Sequence, residues 1–387
     1  MIRMLTSCTE EIDDTEAAVA EILSQLDLEH SLLKNAVGIV SCHCEFLEDG
    51  VVRKLCERLP FDVVGCTTLA SATCAGYGLE LLAVSVLTSD DVNFSTVVSE
   101  PISYENMDSA MFDAYRYAYT ALPDPPAMVL AYPPLLSGIG SGPVSERLMK
   151  LCGAVPLFGT FSCENTMRFS RNRVIWNGES FPDALVLLMM SGDVCPRFFS
   201  TSIPQDAVQM QRAVITESDG CVVKRINDVL LADYLASKGL GDNSVSGIQV
   251  SALPFTIDYD DWPNPVSCAL YEVMPQGYGV FGSEMPIGAT LTIGCLNYGV
   301  VISTARLTAG ELLQTENSGG FLMHSCIARN VMLGTMANDE MKSVQDVLGD
   351  TVSYQLSYSG GELCPVENAN GVYVNRFHNF AFVACSF

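Results

Sequence analysis

The chain has 387 residues and a formal net charge of −25; 49% of its residues are apolar and 17% are charged. This length suffices for two or three domains, and the apolar content predicts large buried cores and excludes a disordered chain. The strong negative charge argues against binding to nucleic acids or anionic membranes, because both present negative surfaces.

The sequence lacks the features of a secreted, membrane-spanning or zinc-binding protein. Residues 1–26 contain no uninterrupted apolar core, and acidic residues begin at Glu10. The longest apolar run, Ala184 to Met190, is too short to cross a bilayer. The 15 cysteines include no C-x-x-C pair, so no metal site is expected. These features predict a soluble, cytoplasmic protein.

Apolar periodicity predicts one succession of elements twice in the first half of the chain. In each unit a helix, a buried strand, a second helix and a short strand lead into a small-residue turn. The first unit has its elements at 13–26, 35–41, 51–59 and 62–64, before Gly65–Thr68. Its next two strands, 80–87 and 92–99, are predicted to form a hairpin. The second unit has its elements at 105–119, 127–131, 145–152 and 155–158, before Gly159–Ser162, and strands at 173–177 and 184–190 follow.

The C-terminal part repeats the order of strand, helix, strand and turn. Before it, the pattern predicts a helix at 227–237 and strands at 279–282, 290–295 and 299–303, and Thr308–Glu311 is typical of a capping box that opens a helix. The repeated block itself comprises a buried strand or helix entrance at 320–325, a helix at 339–348, strands at 352–358 and 377–385, and a turn at 359–362. The predicted fold class is α/β (mixed α+β), with mixed sheets covered by helices and repeated units in two domains.

Five short motifs occur in the order found in one protein family. They are Asp62–Thr68, Phe158-Gly159 with Val174–Glu179, Ser325–Arg329, Ser359–Glu362 and Phe377–Asn379. The chain thereby resembles the FIST family, with a FIST N-terminal-like domain at 1–212 that holds two related units and a FIST C-terminal-like domain at 213–387.

The resemblance implies a sensory protein that binds small ligands, amino acids or related metabolites among them. Some members of the family have been linked to haem and nitric oxide sensing. Members usually carry an output module or act beside one. Because the C-terminal strand runs to Phe387, signalling is expected to pass through a separate partner protein.

The C-terminal motifs contain the candidate ligand-binding residues. Cys326 and Arg329 lie one helical turn apart, and the Arg329 guanidinium is suited to bind a carboxylate. Glu362 is suited to bind an ammonium group, and Asn379 to bind either end of an amino acid. Gly361 and Tyr358 complete the predicted site. The structural alternative is a buried Arg329–Glu362 ion pair.

Two other functions remain open from the sequence. Cys326 beside His324 or His378 would give a cysteine-dependent hydrolase or transferase. However, His324 lies two residues from Cys326, so the two side chains diverge, and His378 would have to approach from the last strand. Haem would need an axial ligand such as His43, His324 or His378, but no C-x-x-C-H motif is present. We therefore expect neither enzymatic activity nor a cofactor.

Overall fold

The computed structural model describes residues 2–136, 140–165, 170–204, 212–240, 254–258, 266–315, 319–368 and 370–387. In this part of the chain it forms a mixed α/β fold with four sheets, which confirms the predicted fold class. No helix in these ranges is both long and apolar enough to cross a membrane. The predicted domain boundary at 212/213 stays a prediction; it adjoins residues 205–211, which are outside the described ranges.

The first unit begins with a strand that pairs with the last strand of the same unit. Helix 15–26 starts at Asp14, whose side chain accepts a hydrogen bond from the Ala17 N–H, and its buried face carries Val19, Ile22 and Leu26. The described elements are β1 (Arg3–Thr9), α1 (Thr15–Leu26), α2 (Leu28–Ser31), β2 (Asn35–Cys42), α3 (Glu45–Glu48), α4 (Val51–Arg58), β3 (Val63–Thr67), β4 (Ser71–Thr73), β5 (Gly76–Gly78) and β6 (Leu82–Ser89).

The second unit has the same order of principal elements. A strand and a helix precede two parallel strands that flank a second helix, and a hairpin and a final strand follow. The elements are β7 (Val92–Val98), α5 (Met107–Ala121), β8 (Met128–Tyr132), α6 (Ser141–Cys152), β9 (Leu157–Thr160), β10 (Val174–Trp176), β11 (Glu179–Phe181) and β12 (Val186–Gly192).

The third unit is interrupted after its first strand, β13 (Arg197–Thr201). The interrupting residues build a separate seven-stranded sheet from β14 (Ala213–Asp219), β15 (Val222–Ile226), β16 (Val229–Leu230), β17 (Pro254–Asp258), β18 (Val266–Val273), β19 (Gly279–Phe281) and β20 (Thr290–Ile293), with helix α7 (Leu231–Ser237) packed beside it. The unit resumes with α8 (Tyr298–Leu312), β21 (Phe321–Cys326), α9 (Ile327–Leu333), a 3-10 turn (Gly334–Met336), α10 (Asp339–Leu348), β22 (Tyr354–Ser359), β23 (Glu362–Glu367), β24 (Tyr373–His378) and β25 (Phe382–Ser386).

The three units are joined by a cyclic exchange of hairpins. The strand orders are β1-β6-β2-β3-β10-β11, β7-β12-β8-β9-β23-β24 and β13-β25-β21-β22-β4-β5. Each sheet therefore consists of four strands of one unit and a hairpin from another. One large apolar cluster lies between the sheets and contains buried side chains from all three units. Sequence-distant strands thus share one core.

Four predictions of local structure are wrong. Strands 80–87 and 92–99 were expected to pair, but β6 pairs with β1 and β2, whereas β7 pairs with β12 in another sheet. Residues 299–303 are helical, and Thr308–Glu311 lies inside that helix, α8, so it does not open one. Residues 227–237 begin with a turn and the short strand β16, and helix α7 starts only at Leu231.

Two glycines are required where β3 and β9 pass their parallel neighbours. A Cβ atom on Gly65 would lie 1.9 Å from the Val40 carbonyl oxygen, and one on Gly159 would lie 2.0 Å from the Ala131 carbonyl oxygen. The φ angles of these glycines are +156° and +157°. The glycines of the two predicted turns therefore allow close strand packing.

We expect Gly65→Ala to lower the free energy of unfolding by about 3 kcal/mol or more, because the methyl group would collide with backbone atoms. Gly153→Ala is the control: Gly153 has a φ of +56° but nothing within 4 Å of the added Cβ, so its cost should be only about 1 kcal/mol. Urea denaturation measures both values, and equal losses would contradict the packing argument.

Candidate functional site

Four of the six predicted site residues meet where strand ends converge. Cys326 ends β21 and Glu362 begins β23, directly after the turn that follows β22. The Cys326 N–H donates to the Ala381 carbonyl over 3.0 Å, which brings the 378–381 turn alongside. A Cβ on Gly361 would lie 3.6 Å from the Asn379 amide nitrogen. Cys326, Gly361, Glu362 and Asn379 therefore form one cluster.

Glu362 is the most unusual group of this cluster. Its side chain is fully buried, and neither carboxyl oxygen has a protein hydrogen-bond partner within the described residues. Burial raises the pKa of this carboxyl well above its usual value, although the side chains of Ser359 and Cys326, the charge of Arg329 and the Ala381 N–H act in the opposite direction. The environment thus favours the protonated, neutral carboxyl.

The Cys326 thiol lies beside this carboxyl and is also held neutral. Burial and the adjacent Glu362 raise its pKa well above the usual value, although the backbone N–H groups of Ala328 and Phe380 act in the opposite direction. A nucleophilic cysteine needs a thiolate and a nearby base. The environment of Cys326 instead favours the neutral thiol over the thiolate.

Neither candidate histidine is positioned as a base for Cys326. His324 shares a hydrogen bond of 2.9 Å between its Nδ1 and the Ser357 hydroxyl, and its ring stacks on Phe158. His378 Nε2 contacts the Cys364 carbonyl oxygen at 3.1 Å. Burial lowers the pKa of His324 to about 3 and that of His378 to about 4. Both imidazoles are therefore neutral parts of the interior.

Arg329 is fully buried and pairs with Glu340, not with Glu362. Its Nε and Nη2 donate to Glu340 Oε1 over 2.9 and 2.7 Å. Its Nη2 also donates to the Val301 carbonyl and the Thr304 hydroxyl, and Nη1 reaches the Phe380 carbonyl at 3.4 Å. Because all three guanidinium nitrogens are engaged, Arg329 joins α8, α9 and α10.

Tyr358 belongs to the same ion-pair network. Its hydroxyl donates to Glu340 Oε2 over 2.8 Å, and the Ser325 hydroxyl donates to the same oxygen over 2.9 Å. The Glu340 carboxylate is thereby satisfied on both oxygens. Tyr358 and Arg329 thus contact Glu340, whereas the other three predicted residues gather around Glu362.

Asn379 links this cluster to the seven-stranded sheet. Its Oδ1 accepts from the Ala269 N–H over 3.0 Å, its Nδ2 donates to the Tyr271 hydroxyl over 3.2 Å, and its own N–H donates to the Ser267 carbonyl. The Tyr271 hydroxyl also shares a hydrogen bond of 2.8 Å with Ser141 at the start of α6. A Cβ on Gly282 would lie 2.5 Å from Asn379 Oδ1.

Sequence reasoning did not find Ser141, Tyr271 or Gly282. Tyr271 lies 108 residues from Asn379 and 130 from Ser141, and no local pattern signals such a pairing. Gly361 was predicted as a member of the ligand site, whereas the structure shows a steric need for glycine there. Its φ is +145°, and a Cβ there would lie 2.5 Å from the Phe377 ring.

The described residues give haem a poor fit. Two cavities, of about 190 and 40 Å³, have no histidine in their lining. Typical small-molecule sites have volumes of roughly 300–1,000 Å³. His43 is buried with its Nδ1 3.8 Å from Glu45, and His378 Nε2 faces the Cys364 carbonyl oxygen. His324 Nε2 has no hydrogen-bond partner among the described residues, but its ring stacks on Phe158, with 5.1 Å between the ring centroids. The described residues also include no cluster of three His, Cys, Asp or Glu side chains placed for a metal ion.

Replacing Arg329 by methionine should lower the free energy of unfolding by about 3–5 kcal/mol, because Glu340 would remain as a buried, unpaired charge. Arg171→Met is the matched control. Arg171 forms a two-bond pair with Glu48 on a partly exposed surface, and its loss should cost no more than about 1 kcal/mol. Urea denaturation compares the two variants, and similar losses would contradict a structural role for the buried pair.

Glu362→Gln should stabilise the protein at neutral pH. The folded-state pKa of Glu362 is raised, so the unfolded chain loses this proton first as the pH rises above about 4.5. Unfolding therefore becomes progressively easier, by up to about 1.4 kcal/mol per pH unit, until the pH reaches the folded-state pKa. Glutamine cannot titrate, so the advantage of the variant should grow from pH 4.5 to 7.5.

Urea denaturation at several pH values measures this advantage. Glu340→Gln is the control, since it removes a buried carboxylate that has partners and should destabilise the protein. An advantage of Glu362→Gln that does not change with pH would disprove the linkage.

Comparisons with known proteins assign the chain to a family. No curated protein matches it. A solved structure described as a cyanuric acid hydrolase, an evolutionary innovation by structural concatenation, matches over 100% of this chain and 98% of its own at 9% identity, with a TM-score of 0.36, a likeness too low to support an argument. The FIST N domain matches residues 36–229 and the FIST C domain matches residues 230–365. FIST domains are sensory domains that bind small ligands. The chain belongs to the FIST family.

Proposed function

We propose that this chain is a cytoplasmic sensory protein that binds a small ligand at Glu362 and passes the signal to a separate partner protein. The ligand carries an ammonium group or a comparable cationic hydrogen-bond donor. Family membership supports the general role, and the geometry around Glu362 supports the site. A binding role fits better than a catalytic one, because Cys326 lacks both thiolate character and a histidine partner.

The observation that carries the proposal is the unsatisfied, fully buried carboxyl of Glu362. Burying a polar group without partners costs folding free energy. A carboxyl group with a strongly perturbed pKa and without a structural partner is typical of a functional site. An ammonium group placed against Glu362 would favour the carboxylate and supply the missing hydrogen bonds. Binding would then release the proton of Glu362 to solvent.

An amino acid remains a candidate ligand, but its two ends differ in support. Glu362 is suited to the ammonium group. The guanidinium predicted to bind the carboxylate group is not free, because Arg329 is engaged at all three nitrogens. Amines that lack a carboxylate are therefore equally good candidates, and comparing the two classes decides which part of an amino acid matters.

A thermal-shift panel of amines, amino acids and their deaminated analogues should identify compounds that stabilise the protein. A one-site ligand at a hundredfold excess over its Kd adds about 2.7 kcal/mol of stability. Only compounds with an ammonium group should act, and their affinity should fall as the pH decreases, because protonated Glu362 loses its charge.

Glu362→Gln should remove this stabilisation. Glu367→Gln is the matched control, since Glu367 lies on the same strand but is exposed, and it should leave binding unchanged. Unchanged binding to Glu362→Gln, or a panel in which deaminated analogues act equally well, would overturn the proposed site.

A further inference from the structure

We propose that the turn formed by residues 378–381, held to the seven-stranded sheet through Asn379, is the gate of the Glu362 site. This inference rests on the proposed function and extends it to the route by which a ligand enters. Glu362 is fully buried and lines neither of the two described cavities. A ligand can therefore reach it only after a neighbouring element moves.

The inner side of the turn covers the site directly. The Ala381 carbonyl accepts from the Cys326 N–H over 3.0 Å. The N–H groups of Phe380 and Ala381 face the Cys326 sulfur and the Glu362 carboxyl. Successive N–H groups in a turn form a concave surface suited to negatively charged atoms. The turn is thus the backbone element that closes over the two acidic groups.

The outer side of the turn is attached to β18 by polar contacts. Asn379 makes three hydrogen bonds to this strand, through its own N–H and both polar atoms of its side chain. Tyr271 extends the connection to Ser141 on α6. Two side-chain hydrogen bonds are weak enough to break and re-form, so this attachment can open without unfolding of the surrounding sheets.

The conformation of the turn favours opening. Phe380 has a φ of +58°, which is strained for a large side chain. Its ring is buried in a small apolar cluster with Ala269 of β18 and Leu296 and Leu333. This packing and the Asn379 contacts hold the strained backbone in place. When β18 separates from the turn, Phe380 can relax, and the cover over Glu362 is released.

The Cys326 thiol reports gate opening without any ligand. It is buried beside Glu362, and N-ethylmaleimide can modify it only when the turn opens. Asn379→Ala removes two side-chain hydrogen bonds, so modification of Cys326 should accelerate roughly tenfold. Peptide mass spectrometry would follow Cys326 together with two buried reference thiols, Cys42 and Cys152.

Asn375→Ala is the matched control for this experiment. Asn375 lies on β24 near the turn, and its side chain makes three hydrogen bonds, to Leu157, Gly153 and Val155, none of which involves the seven-stranded sheet. This variant should not accelerate Cys326 relative to the reference thiols. Tyr271→Phe removes only the hydroxyl between Asn379 and Ser141, and should give a two- to threefold acceleration if Asn379→Ala fails to fold.

Two results would overturn the gate. One is an unchanged rate at Cys326 in Asn379→Ala, or in Tyr271→Phe if Asn379→Ala fails to fold. The other is an equal acceleration of Cys326, Cys42 and Cys152, which would show global destabilisation. Because no ligand is added, a failure here is distinct from a failure of the amine panel, which would affect the proposed ligand and leave the gate unaffected.

Discussion

The exchange of hairpins among the three units is the constraint on which the rest of the structure depends. The four strands of each unit form a six-stranded sheet with a hairpin from another unit. Hydrogen bonds also connect the turns of the three units to one another. The Cys163 N–H donates to the Thr67 carbonyl, the Gly360 N–H donates to the Phe161 carbonyl, and the Thr68 hydroxyl donates to the Tyr358 carbonyl. Glu362 immediately follows one of these turns and pairs with Thr160 of β9. Its position is therefore fixed by strands about 200 residues apart.

Two buried carboxyl groups near this point show how burial alone does not define a role. Glu340 is fully buried, but Arg329, Ser325 and Tyr358 satisfy both of its oxygens. Such a network joins three helices and a sheet and needs no ligand. Glu362 is equally buried, and its carboxyl oxygens have no hydrogen-bond partner in the part of the chain that the structure describes. Since an unsatisfied group destabilises the folded chain, its presence calls for a compensating role, and the proposed ligand binding would supply one.

Local patterns were sufficient where local forces decide the structure. The cap and apolar spacing of α1 followed from the sequence, whereas Cys326, Gly361, Glu362 and Asn379 were singled out through the resemblance to the family's motifs. The pairing of β6 with β1 did not, because a short acidic turn between two strands is equally compatible with a hairpin and with a change of sheet. Val300, Val301 and Ile302 favour a strand by composition, yet packing of α8 against Arg329 and α10 makes them helical. Likewise, Arg329 pairs with Glu340 and not with Glu362 because the tertiary fold places α10, which carries Glu340, against Arg329.

The site also differs from the division that the two family domains suggest. Ser141 and Cys163 lie in the FIST N range, while Tyr271, Cys326 and Glu362 lie in the FIST C range. Asn379 lies beyond residue 365, where the FIST C match ends. Because β23 pairs with β9 and β22 pairs with β4, neither range contains all the strands of its own sheets. The cluster of Cys326, Gly361, Glu362 and Asn379 and the turn that covers it therefore form only when both parts of the chain fold together, which is why the proposed site lies at the junction of the two ranges and not inside either one.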